Sequence, residues 1–243
     1  MNPFKDIPPI ILPPINWVYK VTLSVDPIIS PNDFVAVAIY DISGNLSFIR
    51  RGQKNWTNID TSNSYFIDVI FYKGLLFALN IQNKFVSFNC YFNDPSNKKA
   101  ITSNVVLKEK VDECFVQYKF LVESLKEELW MVRRCSWRKS IFHVYKLKLD
   151  ATSEKLEDML KLKSLENNNL FLGAGDSNSM SASYFSKSLQ RDSIYVANNL
   201  KIYNMKSGSS YYLCPNEKSF FWVLPHFHGI DRFNFKHYIY DSL

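Results

Sequence analysis

Residues 34–50 read Phe34-Val-Ala-Val-Ala-Ile-Tyr40, Asp41-Ile-Ser-Gly-Asn45 and Leu46-Ser-Phe-Ile-Arg50, and they decide the fold. Two apolar runs of strand length flank one short polar segment, which is the order expected of a β-hairpin. Gly44 and Asn45 tolerate the positive φ that short hairpin connections require. We therefore predict two antiparallel strands joined by a tight turn.

Similar hairpin units follow, so that one unit occurs four times between Asp41 and Ser210. The later apolar runs are 68–74, 75–79 and 85–88; 118–123, 128–133 and 141–147; and 170–173, 193–196, 200–205 and 210–213. The units start roughly 40 to 65 residues apart, which is typical of propeller blades with variable loops. Because stacked hairpin units of this size form β-propellers, we predict an all-β propeller fold.

The predicted domain is single and extends over residues 1–243. It comprises a remnant strand of a preceding blade (1–16), four blade-like units (17–64, 65–113, 114–166 and 167–215), and a terminal strand with a tail (216–243). Residues 152–166 and 122–132 also fit a helical period, and a helix in either place stays open as an alternative. The fold class is the same in both cases.

Composition agrees with a packed β domain. Of the 243 residues, 47% are apolar and 16% aromatic, which excludes a disordered chain. The net charge of +6 is spread along the sequence and does not indicate a dedicated polyanion groove. The prolines in residues 3–14 exclude a helical signal core, and no apolar run approaches the ~20 residues of a membrane span. We expect a cytoplasmic and/or nuclear protein with no membrane partner.

Candidate catalytic groups are scattered. Asp68, Glu123 and Asp192 stand at predicted strand starts and would have to face each other across a cleft to act as a glycosidase pair. No nucleophile elbow of the G-x-S-x-G form is present. We predict that the protein is not an enzyme, and we assign no catalytic residue.

Candidate ligand sites are equally weak. Residues 172–183 contain two glycines but lack the dinucleotide and Walker signatures, so they are predicted to be a Ser/Asn-rich loop between blades. His226 and His228 share one strand face without a third ligand, and His143 is predicted to be a packed or surface side chain. We therefore assign no metal-binding or cofactor-binding residue and no cofactor.

A basic stretch, 133–139, combines Arg133 and Arg134 with Trp137, and Arg50 and Arg51 stand at a similar place in the first unit. Such a mixture can bind nucleic acid, but nearby glutamates weaken its field. A solvated loop is the favoured interpretation, with an acidic protein as the alternative partner, and no nucleic-acid partner is predicted.

An ordered series of short segments extends from Asn2 to about Pro225. It comprises Asn2-Pro-Phe4, Leu12-Pro-Pro14, Val21-Thr-Leu-Ser24, Leu46-Ser-Phe-Ile-Arg50, Trp56-Thr-Asn-Ile59, Asp68-Val-Ile-Phe-Tyr-Lys-Gly74, Leu121-Val-Glu-Ser124, Val132-Arg-Arg134, Phe142-His-Val-Tyr-Lys-Leu147, Leu170-Phe-Leu-Gly173, Ser181-Ala-Ser183, Ser193-Ile-Tyr195 and Trp222-Val-Leu-Pro225. The series resembles the plant F-box-associated β-propeller domain of the KIB type and covers nearly the whole chain.

The resemblance implies a substrate-recognition role. In that family an N-terminal F-box docks onto the Skp adaptor of an SCF ubiquitin ligase, and the propeller chooses the substrate protein. No Leu-rich helical segment precedes Asn2, so we expect the F-box to be absent and a Skp-type adaptor not to bind. The opening blades would be missing too, which predicts an incomplete propeller of about four blades plus terminal strands, an open arc rather than a full ring.

The open arc and the family resemblance each lead to a further expectation. An open arc exposes strand edges, so the protein is expected to bind hydrophobic dye or to self-associate. The favoured function is a non-catalytic protein-interaction propeller with an unknown substrate protein as partner. A truncated or degenerate copy without activity stays open as an alternative, and a glycan-acting propeller enzyme is the third.

Overall fold

The computed structural model describes residues 18–27, 29–59, 64–88, 103–106, 116–135, 141–150, 156–173, 177–183, 190–197 and 201–212. The elements within these ranges are all β-strands, which confirms the all-β prediction. They are β1 (Val18–Leu23), β2 (Val35–Tyr40), β3 (Asn45–Arg50), β4 (Thr57–Asn58), β5 (Phe66–Tyr72), β6 (Leu75–Asn80), β7 (Lys84–Phe88), β8 (Ser103–Val106), β9 (Val116–Glu123), β10 (Leu129–Cys135), β11 (Ile141–Leu149), β12 (Leu156–Lys161), β13 (Asn168–Leu172), β14 (Ser177–Ser181), β15 (Ser193–Val196), β16 (Lys201–Asn204) and β17 (Ser210–Tyr212).

The first three sheets are antiparallel meanders in which each strand pairs with its neighbours in sequence. They contain β1–β4, β5–β8 and β9–β12 respectively. In the first sheet Val35, Val37 and Ile39 pack against the second sheet, because alternate residues of a strand share one face. The local pattern of apolar strand and polar turn is therefore enough to order these sheets.

The β2–β3 turn depends on a glycine. Gly44 has a φ of +60°, and a Cβ atom at that position would lie 2.5 Å from the carbonyl oxygen of Phe66 in the next sheet. The prediction for Gly44 is thus confirmed. The prediction for Asn45 is wrong, since Asn45 is the first residue of β3 and pairs with Tyr40, and Asp41 takes the other positive φ of the turn, 62°.

The fourth sheet has five strands in the order β14-β13-β15-β16-β17 and is not a meander. β13 pairs with β15 in parallel and with β14 in antiparallel orientation. The predicted Ser/Asn-rich loop was therefore wrong over Ser177–Ser181, which form β14. The strand replaces a loop because its residues pair along the whole of β13, with Asn168 opposite Ser181 and Leu172 opposite Ser177.

Both helix alternatives are wrong within the described residues. Residues 122–132 contain the end of β9, a turn in which Glu127 has a φ of 56°, and the start of β10. Leu156–Lys161 form β12 and pair with β11. A helical period was visible in both places, but pairing with a neighbouring apolar strand decides the outcome.

Apolar clusters join consecutive sheets. The first and second sheets share one that includes Ile39, Leu46, Phe66, Leu76 and Phe88. A cluster between the second and third sheets contains Tyr72, Phe77, Leu79, Phe85, Leu121, Leu129, Met131, Tyr145 and Leu147. A cluster between the third and fourth contains Phe120, Val122, Trp130, Val132, Phe142, Val144, Leu165, Leu170, Leu172, Ile194, Val196 and Tyr203.

The array has two ends, which we name by their turns. The first-turn end carries the loops between the first and second strands of the first three sheets (24–34, 73–74 and 124–128), and Tyr72 Oη there donates to the Glu127 carbonyl oxygen over 2.7 Å. The second-turn end carries the turns between the second and third strands (41–44 and 81–83). Asn168, at the start of β13, accepts from the Leu125 amide at the first-turn end over 3.1 Å.

The innermost strands run in one direction. β1 lies beside β5, β5 beside β9 and β9 beside β14, and each ends at the first-turn end. Within the described residues the four sheets follow one another as an arc that does not close into a ring, as predicted. The predicted unit boundaries, dye binding and self-association stay predictions.

Candidate functional site

The innermost strands of the first three sheets meet at a buried ion pair. Lys20 Nζ on β1 lies 2.5 Å from Asp68 Oδ1 on β5, and only 5% and 2% of the two residues are exposed. Asp68 Oδ1 also accepts from the Val69 amide over 2.9 Å, and Oδ2 accepts from the Leu121 amide on β9 over 2.5 Å. The Asp68 carboxylate therefore connects its own strand β5 to β1 of the first sheet and to β9 of the third.

The environment of Asp68 suits a structural role. Burial raises the pKa of its carboxyl, and the nearby Lys20 ammonium and the two amides oppose that effect without cancelling it. Both carboxylate oxygens accept from protein donors. Through these bonds Asp68 connects its own strand β5 to β1 and β9.

The other two predicted carboxylates lie elsewhere. Glu123 is the last residue of β9, and burial followed by repulsion from Glu127 raises the pKa of its carboxyl. Asp192 directly precedes β15, and its Oδ1 accepts from the Leu165 amide over 2.8 Å. Asp68 is the third residue of β5, so of the three only Asp192 stands at a strand start. The three carboxylates belong to three different sheets, Asp68 to the second, Glu123 to the third and Asp192 to the start of a strand of the fourth.

The predicted basic stretch is divided between two faces of β10. Arg133 Cζ lies 5.8 Å from the centroid of the Tyr145 ring, toward the second sheet, and Arg134 Cζ lies 5.6 Å from that of Tyr118, on the opposite face. Successive side chains of a strand point to opposite faces, so the two cannot act as one patch. Residues 136–139 lie outside the described residues.

Two expectations about this stretch are wrong. The glutamates 123, 127 and 128 lie at the first-turn end, whereas Arg133 and Arg134 lie near the second-turn end of β10, so these acids do not neutralise the arginines. Arg50 and Arg51 occupy the first-turn end, where the Arg51 amide donates to the Phe34 carbonyl oxygen over 3.1 Å. The sequence places the charges close along the chain, but the antiparallel strands separate them.

His143 lies on β11, and its Nδ1 is 3.7 Å from the sulfur of buried Cys135. His226 and His228 lie outside the described residues. Among the residues that the structure does describe, no three His, Cys, Asp or Glu side chains are grouped to hold a metal ion. In the same part of the chain no helix is long and apolar enough to cross a membrane.

Sequence reasoning missed a set of exposed apolar side chains at the second-turn end. Ile42, in the β2–β3 turn, is 72% exposed, and Ile81, in the β6–β7 turn, is 52% exposed. Tyr118, near the start of β9, is 44% exposed. A signal was available, because Asp41-Ile42-Ser43-Gly44 and Asn80-Ile81-Gln82-Asn83 place isoleucine at the same position of two hairpin turns, where polar residues are usual.

Radially stacked sheets, an arc of inner strands and turn-lined ends define a β-propeller-type domain. The family model described as KIB1-4 beta-propeller matches residues 1–220. The chain therefore belongs to the KIB1-4 β-propeller family, and the resemblance seen in the sequence is confirmed.

The individual proteins that the chain resembles share little sequence identity with it. The chain is 28% identical over 148 residues to a putative F-box protein of Arabidopsis thaliana; this alignment covers 58% of the chain and 38% of that relative. The chain thus spans well under half of the relative's length. The β-propeller domain of Cps50 (Swd1) from Myceliophteria thermophila matches with a TM-score of 0.37 and 9% identity over 78% of this chain and 59% of that one. That similarity adds nothing to the family assignment.

Proposed function

We propose that this chain is a non-catalytic protein-interaction module, comparable with the substrate-recruiting part of an F-box protein. Membership of a propeller family with an F-box protein relative supports this function. The observation that carries the proposal concerns Asp68, the most buried of the candidate catalytic carboxylates. Its oxygens already accept from Lys20 and from the amides of Val69 and Leu121. The catalytic candidate thus serves the scaffold, while exposed apolar side chains lie on the turns.

We further propose that the whole of 1–243 acts as one domain, in the cytoplasm and/or nucleus, and that it does not bind a Skp-type adaptor by itself. Purified chain and a purified plant Skp adaptor test the last point by calorimetry. No heat of binding is expected. Micromolar binding would contradict it, and would leave the substrate-recruiting proposal intact.

Affinity purification from plant cells with quantitative mass spectrometry tests the main proposal. The bait is the tagged full chain, and the matched control carries Ile42→Asp, Ile81→Asp and Leu125→Asp, which change exposed turn residues at both ends. We expect a protein that is enriched by the first bait, depleted with the second, and bound directly when purified. Hydrolysis of a glycoside panel by the purified chain, or failure of every enriched protein to bind directly, would contradict the proposal.

A further inference from the structure

We propose that residues 213–243 fold back from β17 and cover the free side of the fourth sheet, with the apolar run Phe220-Phe-Trp-Val-Leu224 packed against it. The free side is the face of this sheet that points away from the third sheet. The inference goes beyond the proposed function and does not depend on it, because it concerns how one end of the arc is closed off from water.

The free side carries an apolar cluster of its own. Leu170 and Leu172 of β13 join the cluster shared with the third sheet. Because alternate residues of a strand point to opposite faces, Phe171 between them points to the free side. The rings of Phe171 and Tyr195 stack there, with centroids 4.9 Å apart. The whole cluster consists of Phe171, Met180, Tyr195 and Ile202.

This cluster is buried although no described sheet lies over it. Only 6% of Phe171 and Met180 and 2% of Tyr195 and Ile202 are exposed. The third sheet packs on the opposite face, and no further sheet follows the fourth in the part of the chain that the structure describes. Large side chains on an uncovered sheet face would keep much of their surface in water. Their burial therefore requires a cover that the described sheets do not provide.

The first sheet shows how an innermost strand looks when nothing covers it. Val21 and Leu23 of β1 pair with Ala38 and Ala36, which alternate with the residues packed against the second sheet. They therefore point away from the second sheet, and they are 36% and 41% exposed. Met180 occupies the corresponding face of β14, the innermost strand of the fourth sheet, and is 6% exposed. The two ends of the arc thus differ.

A buried amide on the free side also points to a cover. Asn169 precedes Leu170 on β13, shares the face of Phe171 and is 0% exposed. Its Oδ1 accepts from the Ser193 amide over 3.1 Å, but its Nδ2 has no acceptor among the described residues. Buried polar groups are almost always paired, and a backbone carbonyl oxygen of a covering segment can accept from this nitrogen.

The connection between β14 and β15 reaches the rim of this side. The Gln190 amide donates to Tyr195 Oη over 3.0 Å, and Tyr211 Oη lies 3.4 Å from Gln190 Oε1. Gln190 is itself exposed, so it contacts the hydroxyl end of the Tyr195 ring without covering the cluster.

Residues 213–243 begin at the edge of the same sheet. β17 is the outermost strand of the fourth sheet, and Tyr212 is its last residue. Pro215-Asn-Glu-Lys218 has the composition of a turn, and the unbroken apolar run 220–224 is typical of a strand covered on both faces. A second run, Phe233-Asn-Phe-Lys-His-Tyr-Ile-Tyr240, adds further apolar side chains. The segment therefore has both the position and the composition of a cover.

The length of the link permits this packing. Residues 213–219 separate β17 from the apolar run and can span roughly 23 Å when extended. Strands lie about 4.8 Å apart in a sheet, and packed layers lie about 10 Å apart. A position one layer above β15, two strands inward from β17, is then roughly 14 Å from Tyr212. The run can therefore lie over Tyr195.

The test is photo-cross-linking of the full wild-type chain with photo-methionine, a diazirine analogue of methionine, in place of every methionine. Tandem mass spectrometry then maps the cross-links. We expect Met180 to cross-link to residues 220–224 within one chain. Met131 serves as the internal control, because it lies in the cluster with Phe77 and Leu79 and should cross-link to the second sheet.

Two variants sharpen the result. Trp222→Ser should lose the cross-links between Met180 and residues 220–224 and keep those of Met131. Leu125→Ser changes an exposed side chain at the first-turn end, 51% exposed, and should keep both sets. If Trp222→Ser unfolds the chain, the map of the wild-type chain still decides the proposal.

Three results would overturn the proposal. Cross-links from Met180 only to residues 184–189 would make the β14–β15 connection the cover. Cross-links from Met180 between two chains would make a second copy the cover. Absence of any Met180 cross-link, in a sample that gives the Met131 cross-links, would show that residues 213–243 do not lie on this side.

Discussion

The contact region that joins the first three sheets, here the inner seam, differs from the contact region that joins the third sheet to the fourth, here the outer seam. The first contains the buried pair of Lys20 and Asp68, with Asp68 also holding the Leu121 amide. The second uses neutral hydrogen bonds, from the Leu125 amide to Asn168 Oδ1 and from Ser179 Oγ to the Glu123 carbonyl oxygen, together with an exposed ion pair.

The difference shows where a single side chain can break the array. A buried charge that loses its partner keeps the full cost of its removal from water, whereas an exposed one is screened by solvent. The inner seam therefore depends on one residue, Asp68. The outer seam depends instead on the apolar cluster around Trp130, which is shared among many side chains and contains no charge.

The largest effect is expected for Asp68→Ala. The change leaves the Lys20 ammonium buried without its carboxylate and removes the acceptor of the Leu121 amide. We expect a loss of about 3–5 kcal/mol in the free energy of unfolding, measured by denaturant titration. The control is Asp158→Ala on the edge strand β12, where the aspartate is exposed. Equal losses in the two variants would show that the pair does not hold the seam.

A smaller effect is expected for Gly44→Ala, with Gly74→Ala as its match. Both glycines have a positive φ, but a Cβ at position 44 would lie 2.5 Å from the Phe66 carbonyl oxygen, and one at position 74 would meet no atom within 4 Å. We expect roughly 1 kcal/mol for position 74 from backbone strain alone, and a clearly larger loss for position 44. Thermal unfolding measures both. A larger loss at position 74 would contradict the close approach of the first two sheets.

The pH dependence of stability tests the electrostatics of the inner seam. Because burial raises the pKa of Asp68 above 3.8, the folded state binds more protons than the unfolded state between that value and the folded pKa. The contribution of Asp68 to stability therefore falls as the pH rises through this window. We expect the difference in unfolding free energy between wild type and Asp68→Asn to fall with it. A difference that grows with pH would mean that Lys20 lowers the pKa more than burial raises it.

The smallest effect is expected for Lys126→Gln. Lys126 contacts Glu166 across the outer seam, and the pKa of Lys126 is raised chiefly by its hydrogen bond to that carboxylate. Both side chains are exposed, so solvent and salt screen the pair. Chemical denaturation should show no measurable change at physiological ionic strength. A loss approaching that of Asp68→Ala would remove the distinction between the two seams.

The first three sheets could be predicted from sequence because their pairing is local. The apolar run of β2, the turn with Gly44 and the run of β3 already specify one hairpin. The fourth sheet could not, because β13 pairs in parallel with β15 and the polar segment Ser177–Ser181 takes the innermost position. The serines and the asparagine of this segment carry no strand signal. The segment becomes a strand because it pairs with β13.

The site was harder to predict than the fold. Asp68 was noticed as a candidate acid, but its partners Lys20 and Leu121 are separated from it by 48 and 53 positions, and no spacing rule connects them. Ile42 and Ile81 carried a readable signal in their turns. The hydrogen bonds that join the Ile42 turn to β5 and the Ile81 turn to Tyr65 are not contained in hairpin patterns.

The most direct test of the account is hydrogen–deuterium exchange of the full chain with and without a partner protein that affinity purification identifies and that binds directly. We predict slower exchange of the backbone amides in at least one of the turns that carry an exposed apolar side chain, residues 41–44, 81–83 or 124–128. Unchanged exchange in all three turns would contradict the claim that a protein partner binds at the turns.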